Sequence, residues 1–303
     1  MPGCDAAVVR IRANLPGSMA QHPTRAAAAA PAVRDLYIDL LMKTLTMWLW
    51  EGADGSVQPA GTPTLYTRTR AWARKWKPRK RGAEPFDSKE ARRVGLDWPK
   101  LAHTMIGMER MANLRHCVEE VLAKGVPGDL IETGVWRGGA TIFMRGILKA
   151  HGVQDLRVWV ADSFEGLPPP DLAKYPADTG DEHHTYNSLL GVSLEQVKSN
   201  FERYGLLDEQ VCFLKGWFKD TLPEAPIEKL AVLRLDGDMY ESTMDGLPHL
   251  YPKLSVGGFL IVDDYGIASP GCRQAVEDYR KAHQIREPIQ RIDWGGVFWQ
   301  RSA

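Results

Sequence analysis

Carboxylate side chains end two apolar runs in the C-terminal third of the chain. Asp236 follows one run, and Asp263 and Asp264 follow the next. The ends of neighbouring parallel strands lie side by side, so these like charges would crowd together and destabilise the fold unless a cation compensated them. Mg²⁺ takes oxygen ligands and shares its shell with substrate oxygens, so the three aspartates predict a Mg²⁺ site. Helix caps or solvated loop acids are the alternative, which is strongest for Asp238 because Asp-Gly-Asp is also a turn signal.

A second group of residues predicts a turn that binds a nucleoside. Glu132 sits near the end of an apolar run, Gly134 follows it, and Gly138 and Gly139 stand where a helix begins. Glycine allows a sharp reversal, and a helix start offers unpaired N–H groups. An acid before the first glycine would repel a pyrophosphate but suits the cationic S-adenosylmethionine (SAM), and Asp162 ends the next strand, where an acid holds a ribose diol. A purely structural glycine turn is the alternative, and the departure from G-x-G-x-x-G disfavours a dehydrogenase.

A metal beside SAM suggests a reaction. A diol that chelates Mg²⁺ has a lowered hydroxyl pKa and a fixed orientation. A nearby carboxylate can accept the proton, and the oxygen then attacks the sulfonium methyl in line. A sugar diol and a catechol-like phenol both satisfy this chemistry, so the residues alone leave the acceptor open.

Alternating strands and helices must position these residues, which predicts a parallel sheet with helices on both faces and a terminal antiparallel hairpin. The predicted strands are Asp129–Thr133, Arg157–Ala161, Val211–Leu214, Leu230–Leu235, Gly258–Val262, Ile289–Ile292 and Val297–Gln300. The predicted helices between and before them are Ile106–Lys124, Ala140–His151, Leu194–Tyr204, Ser242–Tyr251 and Cys272–His283. The segment between Ser163 and Gly191 is predicted to be a long polar loop.

The N-terminal part has a different character. We predict a disordered tail over residues 1–33, a helical or lid region over residues 34–125, and the SAM-dependent domain over residues 126–303. Within the second region, an apolar helix runs from Asp35 to about Trp50. The basic run Arg68–Arg81 carries eight basic residues and no acid. A solvated insertion is the favoured interpretation of this run, and a lid or an RNA-binding surface are the alternatives.

Bulk properties exclude several classes of protein. Lys and Arg total 38, as do Asp and Glu, so no net charge steers the chain to nucleic acid. The four cysteines form no C-x-x-C pair, which predicts neither a zinc site nor a disulfide framework. No signal peptide or membrane span is predicted. We therefore expect a cytoplasmic enzyme with reduced thiols.

These motifs together resemble the macrocin O-methyltransferase family, the SAM- and Mg²⁺-dependent sugar O-methyltransferases of macrolide and aminocoumarin antibiotic pathways. Within it they are most similar to the mycinamicin-type 3-hydroxyl methyltransferases. The matching segments are His103–Gly107, Ile131–Gly139, Val160–Phe164, Gly216–Thr221, Leu235–Asp238 and Asp263–Tyr265. The resemblance implies a Rossmann-like class I SAM-dependent methyltransferase fold, with a mostly parallel seven-stranded sheet, a C-terminal antiparallel hairpin and an N-terminal helical extension. It also implies a homodimer and a glycosylated small-molecule acceptor.

The resemblance assigns roles to individual residues. Asp236, Asp263 and Asp264 match the metal ligands, and Asp236 is also the candidate base; Asp238 matches the motif without matching a ligand. The implied cofactor contacts are Thr104, Met105, Glu132, Gly134, Asp162, Ser163, Trp217 and Phe218.

Three histidines are further candidates for catalysis. His103 is interpreted mainly as a structural hydrogen-bonding residue, with a catalytic base as the alternative. His183 and His184 are candidates on the acceptor side, against a solvated loop. The long tail and the expanded region 62–93 depart from the family pattern, so acceptor identity does not transfer with the cofactor and metal roles.

Overall fold

The computed structural model of the 303-residue chain describes residues 8–9, 31–50, 88–97, 99–266 and 269–302. The basic run at 68–81 and most of the N-terminal tail lie outside these ranges. Within them, no helix is long and apolar enough to cross a membrane.

Strands and helices alternate through the C-terminal two thirds of the chain. The strands are β1 (Val8–Val9), β2 (Asp129–Thr133), β3 (Val158–Asp162), β4 (Val211–Lys215), β5 (Leu230–Leu235), β6 (Leu254–Val262), β7 (Gln290–Arg291) and β8 (Val297–Gln300). The helices are α1 (Pro31–Leu45), α2 (Ser88–Arg93), α3 (Met108–Lys124), α4 (Gly139–Ala150), α5 (Asn187–Leu190), α6 (Leu194–Arg203), α7 (Phe218–Thr221), α8 (Tyr240–Leu250) and α9 (Pro270–Ala282). Short 3₁₀ helices cover Trp48–Trp50, Pro176–Asp178, His183–Tyr186 and Tyr251–Lys253.

The strands form one sheet in the order β1-β4-β3-β2-β5-β6-β8-β7. The five strands from β4 to β6 in this order are parallel, and β8 and β7 add the antiparallel hairpin. The predicted seven-stranded Rossmann-like sheet is therefore confirmed. β1 adds an eighth, antiparallel strand beside β4, within the tail for which the sequence predicted no regular structure.

The register of the central strands brings their ends to one level. Thr133 pairs with Leu235, and Leu235 pairs with Val262. The backbone continues this alignment, because Asp236 N–H donates to the Thr133 carbonyl and Asp263 N–H donates to the Leu235 carbonyl, each at 2.9 Å. The first residues after β2, β5 and β6 therefore lie side by side, as the predicted metal site requires.

Two apolar layers cover the sheet, one on each face. The N-terminal helix α1 belongs to the first layer, where Ile38, Leu41 and Leu45 are buried. A Cβ placed on Gly146 of α4 would lie 2.3 Å from a Leu41 methyl carbon, so a larger residue there would require the Leu41 side chain to move. The N-terminal helix thus packs on the main sheet domain.

Several regions differ from their predicted secondary structure. α1 spans Pro31–Leu45, not Asp35 to about Trp50, and the short helix α7 was not predicted. β6 begins four residues earlier than predicted, because the register shifts between Leu230 and Val232 and a bulge carries pairing past Gly257 and Gly258. The predicted polar loop between β3 and α6 contains two 3₁₀ turns and the short helix α5. Such short turns have no apolar periodicity that the sequence could reveal.

Candidate functional site

The turn after β2 lies directly against the turn after β5. Gly134 has φ 84°, and a Cβ on it would lie 1.7 Å from the Asp236 carbonyl oxygen. A Cβ on Gly139, at the start of α4, would lie 2.4 Å from the His103 carbonyl oxygen. The turn after β5 is called the β5 turn, and the turn after β2, which carries predicted cofactor residues, is called the cofactor turn. The two glycines allow the segment around residue 103 and the β5 turn to pack against the cofactor turn.

Two adjacent cavities open at this edge of the sheet. The larger, of about 400 Å³, contains six predicted cofactor residues: Met105, Gly134, Asp162, Ser163, Trp217 and Phe218. The smaller, of about 120 Å³, is lined by the other two, Thr104 and Glu132, and by the three predicted metal ligands. Both cavities are lined by five shared residues, Met105, Trp136, Leu190, Asp236 and Asp238. The predicted cofactor and metal residues are thus brought together but divided between two neighbouring spaces.

Asp162 lies at the wall of the larger cavity and is held by the backbone. One of its carboxylate oxygens accepts the N–H of Val135 and the other accepts the N–H of Phe164, both at 2.7 Å. Burial raises the pKa of Asp162, and these backbone donors oppose the shift. These backbone hydrogen bonds therefore orient the carboxylate before any ligand arrives.

Asp236, Asp263 and Asp264 form a group that suits a metal ion. Each offers one carboxylate oxygen, and these oxygens all lie within 4.8 Å of one another. Burial, followed by repulsion from Asp238 and Asp263, raises the pKa of Asp264 to about 7. A hard divalent cation would relieve this repulsion, and an all-oxygen donor set is the one that Mg²⁺ prefers. The residues therefore fit the predicted metal.

Two buried arginines share these carboxylates, and the sequence analysis did not include either in the site. Arg234 in β5 pairs with Glu132, with Asp263 and, at 2.8 Å, with Asp236. Arg110 in α3 pairs with Asp263 at 2.5 Å and with Asp293 at 2.8 Å. Arg234 could have been found from the sequence, because it is the one charged residue inside the apolar strand Leu230–Leu235. No comparable sequence pattern indicated Arg110.

Negative charge still exceeds positive charge in this region. Two guanidinium groups and the imidazole of His183 face six carboxylates, which belong to Glu132, Asp236, Asp238, Asp263, Asp264 and Asp293. Buried like charges of this number are stable only if they take up protons or a cation. The excess of carboxylates is thus compatible with a bound cation, and protonation is the other way to compensate it.

Glu132 is buried more deeply than its predicted role implied. One of its oxygens accepts from Arg234, and the other has no hydrogen-bond partner among the described residues. Burial raises the pKa of Glu132 to about 8, against the opposing effect of Arg234. Glu132 lines the smaller cavity, so its contact with a cationic cofactor stays a prediction.

The structure separates the three candidate histidines. His183 lines the smaller cavity, with Nδ1 at 2.7 Å from Asp181 and Nε2 at 3.4 Å from Asp238. Burial alone would lower the pKa of His183, but Asp238 and Asp181 raise it to about 10. His184 lines neither cavity. His103 also lines neither, and its Nδ1 lies 2.8 Å from the Tyr204 hydroxyl.

The position of His103 predicts a small effect on catalysis. Its pKa is lowered to about 4, first by burial and then by Arg137, so the ring is neutral at pH 7 and bound to Tyr204. We expect His103→Gln to lower kcat by less than about tenfold, since a general base contributes about 10² to 10⁴. Steady-state measurement of kcat for wild type, His103→Gln and His183→Gln under the same conditions tests this expectation. A hundredfold loss in His103→Gln at unchanged Tm would contradict it.

Comparison with known proteins gives consistent similarities over most of the chain. The sequence profile of the macrocin-O-methyltransferase (TylF) family matches residues 34–301. The chain is 52% identical over 270 residues to the 8-demethyl-8-(2,3-dimethoxy-alpha-L-rhamnosyl)-tetracenomycin-C 4'-O-methyltransferase of Streptomyces olivaceus, which covers 89% of this chain and 94% of the relative. It is also 52% identical over 271 residues to the mycinamicin III 3''-O-methyltransferase of Micromonospora griseorubida, covering 89% of this chain and 97% of the relative. The solved structure of the O-methyltransferase NovP has a TM-score of 0.76 at 50% identity, and the match covers 89% of this chain and 100% of NovP.

Proposed function

Since the chain belongs to the macrocin O-methyltransferase family, we propose that it transfers the methyl group of SAM to a hydroxyl of a deoxysugar on a glycosylated natural product, with Mg²⁺ bound at the site. The family predicted from the motifs is confirmed, and the chain is an O-methyltransferase. One observation carries the proposal: Asp236, Asp263 and Asp264 gather their carboxylates where the cofactor turn meets the β5 turn.

The larger cavity supports SAM as the cofactor. Its volume, its aromatic side chains Trp217 and Phe218 and its oriented carboxylate at Asp162 suit a nucleoside with a ribose diol. The excess of carboxylates beside it suits the positive charge of the sulfonium group.

Asp236, Asp263 and Asp264 would hold the metal, which, when bound, supplies Lewis-acid polarisation of the acceptor's hydroxyl groups. Arg234 and Arg110 orient these ligands, because each bonds to Asp263 from a different element. Asp263 and both arginines are buried, which strengthens the electrostatic interactions among them, while Asp236 and Asp264 stay half-buried.

Two carboxylates are candidates to accept the hydroxyl proton. Asp236 is the predicted base; burial and repulsion from Asp263 raise its pKa well above the usual range, and the ion pair with Arg234 only opposes this rise. Asp238 lines both cavities, adopts φ 60°, and has its pKa raised to about 6 by burial against the opposing effect of His183. A base works best when its pKa is close to the operating pH. The pH–rate profiles of Asp236→Asn and Asp238→Asn, compared with that of wild type, would show which of the two carboxylates is responsible for the loss of rate at low pH.

The names of two relatives support a sugar as the acceptor. One acts on a rhamnosyl tetracenomycin, and the other is a mycinamicin III 3''-O-methyltransferase. A catechol-like phenol stays the alternative, since it would chelate the same metal. RNA binding through the basic run Arg68–Arg81 is a lower-ranked alternative, because it leaves the aspartate cluster unexplained.

Mass spectrometry with trideuteromethyl-labelled SAM tests the proposed function. The acceptor panel contains rhamnosylated polyketides, mycinamicin III, their aglycones and simple catechols. We expect the label on the sugar of at least one glycoside and no transfer after EDTA treatment, with recovery on addition of Mg²⁺. Label on catechols alone would favour the phenolic acceptor. RNA binding that weakens steeply with salt, without any methyl transfer, would overturn the proposal.

We also propose that the enzyme is a homodimer, which an exposed apolar stripe on α1 supports. Val33, Leu36 and Leu40 are 50–67% exposed on the face opposite the buried Ile38 and Leu41. An uncovered apolar face of this kind marks an interaction surface. Sedimentation of wild type and Leu36→Glu would test it, with the exposed Val256→Glu as the control; a monomeric wild type would reject it.

A further inference from the structure

A buried carboxylate in the loop between β3 and α6 caps a helix that lies far from it in sequence. Asp178 ends the 3₁₀ turn Pro176–Asp178 and is 3% exposed. Its two oxygens accept the N–H groups of Tyr240 at 2.6 Å and of Glu241 at 3.2 Å. These are the first two residues of α8, whose N–H groups have no partner within the helix itself.

The helix α8 depends on this remote group. Met239 precedes α8 and provides no side-chain cap. The carboxylate at Asp178 therefore supplies both the missing acceptors and the negative charge that stabilises a helix N-terminus. Because α8 follows directly after Asp236 and Asp238, whatever holds its first turn also holds the segment that carries these two aspartates.

The same carboxylate lies against the helix that follows the second aspartate pair. A Cβ on Gly271, the second residue of α9, would lie 2.2 Å from a carboxylate oxygen of Asp178. The chain runs into α9 from Asp263 and Asp264. A single side chain thus sits between the first turns of the two helices that follow the two parts of the aspartate cluster.

The residues after Asp178 lead back to the site. Asp181 lies three residues on and holds His183, whose Nε2 is 3.4 Å from Asp238. On the other side, the rings of Tyr175 and Tyr240 lie 5.8 Å apart. The segment 175–183 therefore contacts the β5 turn and α8 at three points, and of these only Asp178 accepts two backbone hydrogen bonds from the first turn of α8.

We propose that Asp178 is a positioning residue for methyl transfer: it fixes the segment 175–183 against the first turns of α8 and α9 and so sets where His183 and Asp238 meet. This inference rests on the proposed function, because it assigns the acceptor side of the reaction to that meeting point. Asp178 itself touches no reacting atom in this scheme.

Two variants and a matched control test the proposal. Asp178→Ala removes both acceptors, whereas Asp178→Asn keeps one acceptor oxygen. Asp129→Ala is the control, because Asp129 also accepts two N–H groups, from Arg157 at 2.9 Å and from the Trp159 indole at 2.8 Å, but at the opposite edge of the sheet. The measurements are Tm, S-adenosylhomocysteine affinity by calorimetry, hydrogen exchange of residues 175–183, and kcat/KM for the glycoside labelled in the trideuteromethyl assay.

We expect Asp178→Ala to lower kcat/KM for the acceptor by about 10²-fold, the size of effect that a small misplacement of catalytic groups produces. Asp178→Asn should fall between it and wild type, at about tenfold. Exchange at 175–183 should accelerate in both, with S-adenosylhomocysteine affinity near that of wild type. Asp129→Ala should lose a similar Tm with kcat/KM unchanged.

Two results would overturn the proposal. One is a kcat/KM in Asp178→Ala that equals the value in Asp129→Ala at the same loss of Tm. The other is unchanged hydrogen exchange at 175–183 in both Asp178 variants, which would show that other contacts hold the segment. The exchange arm needs no acceptor, so it reports on Asp178 even if no glycoside is methylated and the proposed function itself fails.

Discussion

Asp264→Asn is expected to lower kcat by about 10³-fold while leaving the affinity for S-adenosylhomocysteine near that of wild type. Lewis-acid stabilisation by a bound metal contributes several kcal/mol to a transition state, and about 4 kcal/mol corresponds to this factor. The cofactor affinity should persist, because Asp264 lines only the smaller cavity.

Substitution of Asp264 tests metal binding with less disturbance of the fold than substitution of either of the other two candidate ligands. Asp263 bonds to both Arg110 and Arg234, and Asp236 bonds to Arg234, so loss of either carboxylate would remove at least one ion pair from a buried guanidinium group. Such a loss costs about 3–5 kcal/mol of stability and would confuse the measurement. Asp264 instead accepts the N–H of Asp238 at 3.0 Å, and asparagine can accept the same bond.

The measurement is kcat as a function of Mg²⁺ concentration, together with calorimetric titration of Mg²⁺ and of S-adenosylhomocysteine. Asp155→Asn serves as the control, since Asp155 is an exposed acid in the loop before β3, at the opposite edge of the sheet. An Asp264→Asn enzyme whose kcat and Mg²⁺ response stay within tenfold of wild type would rule out Asp264 as a ligand of a catalytic metal.

Gly134→Ala should have the largest effect on the fold at the site. A side chain at φ 84° costs about 1–3 kcal/mol, and the new Cβ would overlap the Asp236 carbonyl oxygen, which adds about 1–3 kcal/mol. We therefore expect about 3–5 kcal/mol lost from the free energy of unfolding, with loss of S-adenosylhomocysteine binding because the two turns must separate.

Urea denaturation of Gly134→Ala beside Gly152→Ala isolates the steric part of this effect. Gly152 also has a positive φ, of 69°, but a Cβ on it would meet no atom within 4 Å. The control should therefore lose only the conformational part, about 1 kcal/mol, and keep its cofactor affinity. Equal losses in the two variants would show that contact between the turns contributes nothing to stability.

The sequence predicted residues correctly where their position follows from the order of strands and helices along the chain. Asp236, Asp263 and Asp264 could be predicted as a cluster because each follows a parallel strand, and parallel strands place their carboxyl ends together. Gly134 could be predicted at a reversal because its neighbours are apolar strand residues. These inferences needed only the order of the elements.

The sequence could not reveal the partners that depend on tertiary contacts. Arg110 is separated by 153 positions from Asp263, and Asp178 by 62 from Tyr240, so no local pattern joins them. The deep burial of Glu132 behind Arg234 likewise follows from strand register, which apolar runs do not specify. The candidate ligand-binding residues were thus more predictable from the sequence than the residues that hold them in place.

The buried charges also constrain how this enzyme can change. Five residues of alternating charge form a row of ion pairs that joins the hairpin turn between β7 and β8, helix α3, the end of β6, and strands β5 and β2. In this order they are Asp293, Arg110, Asp263, Arg234 and Glu132. Loss of Arg110 would leave Asp293, and loss of Arg234 would leave Glu132, without its ion-pair partner in the row, so neither arginine can be replaced alone without a large cost in stability. Libraries that seek new acceptors should therefore keep this row constant and diversify Leu190 and Met105, which face both cavities without carrying charge.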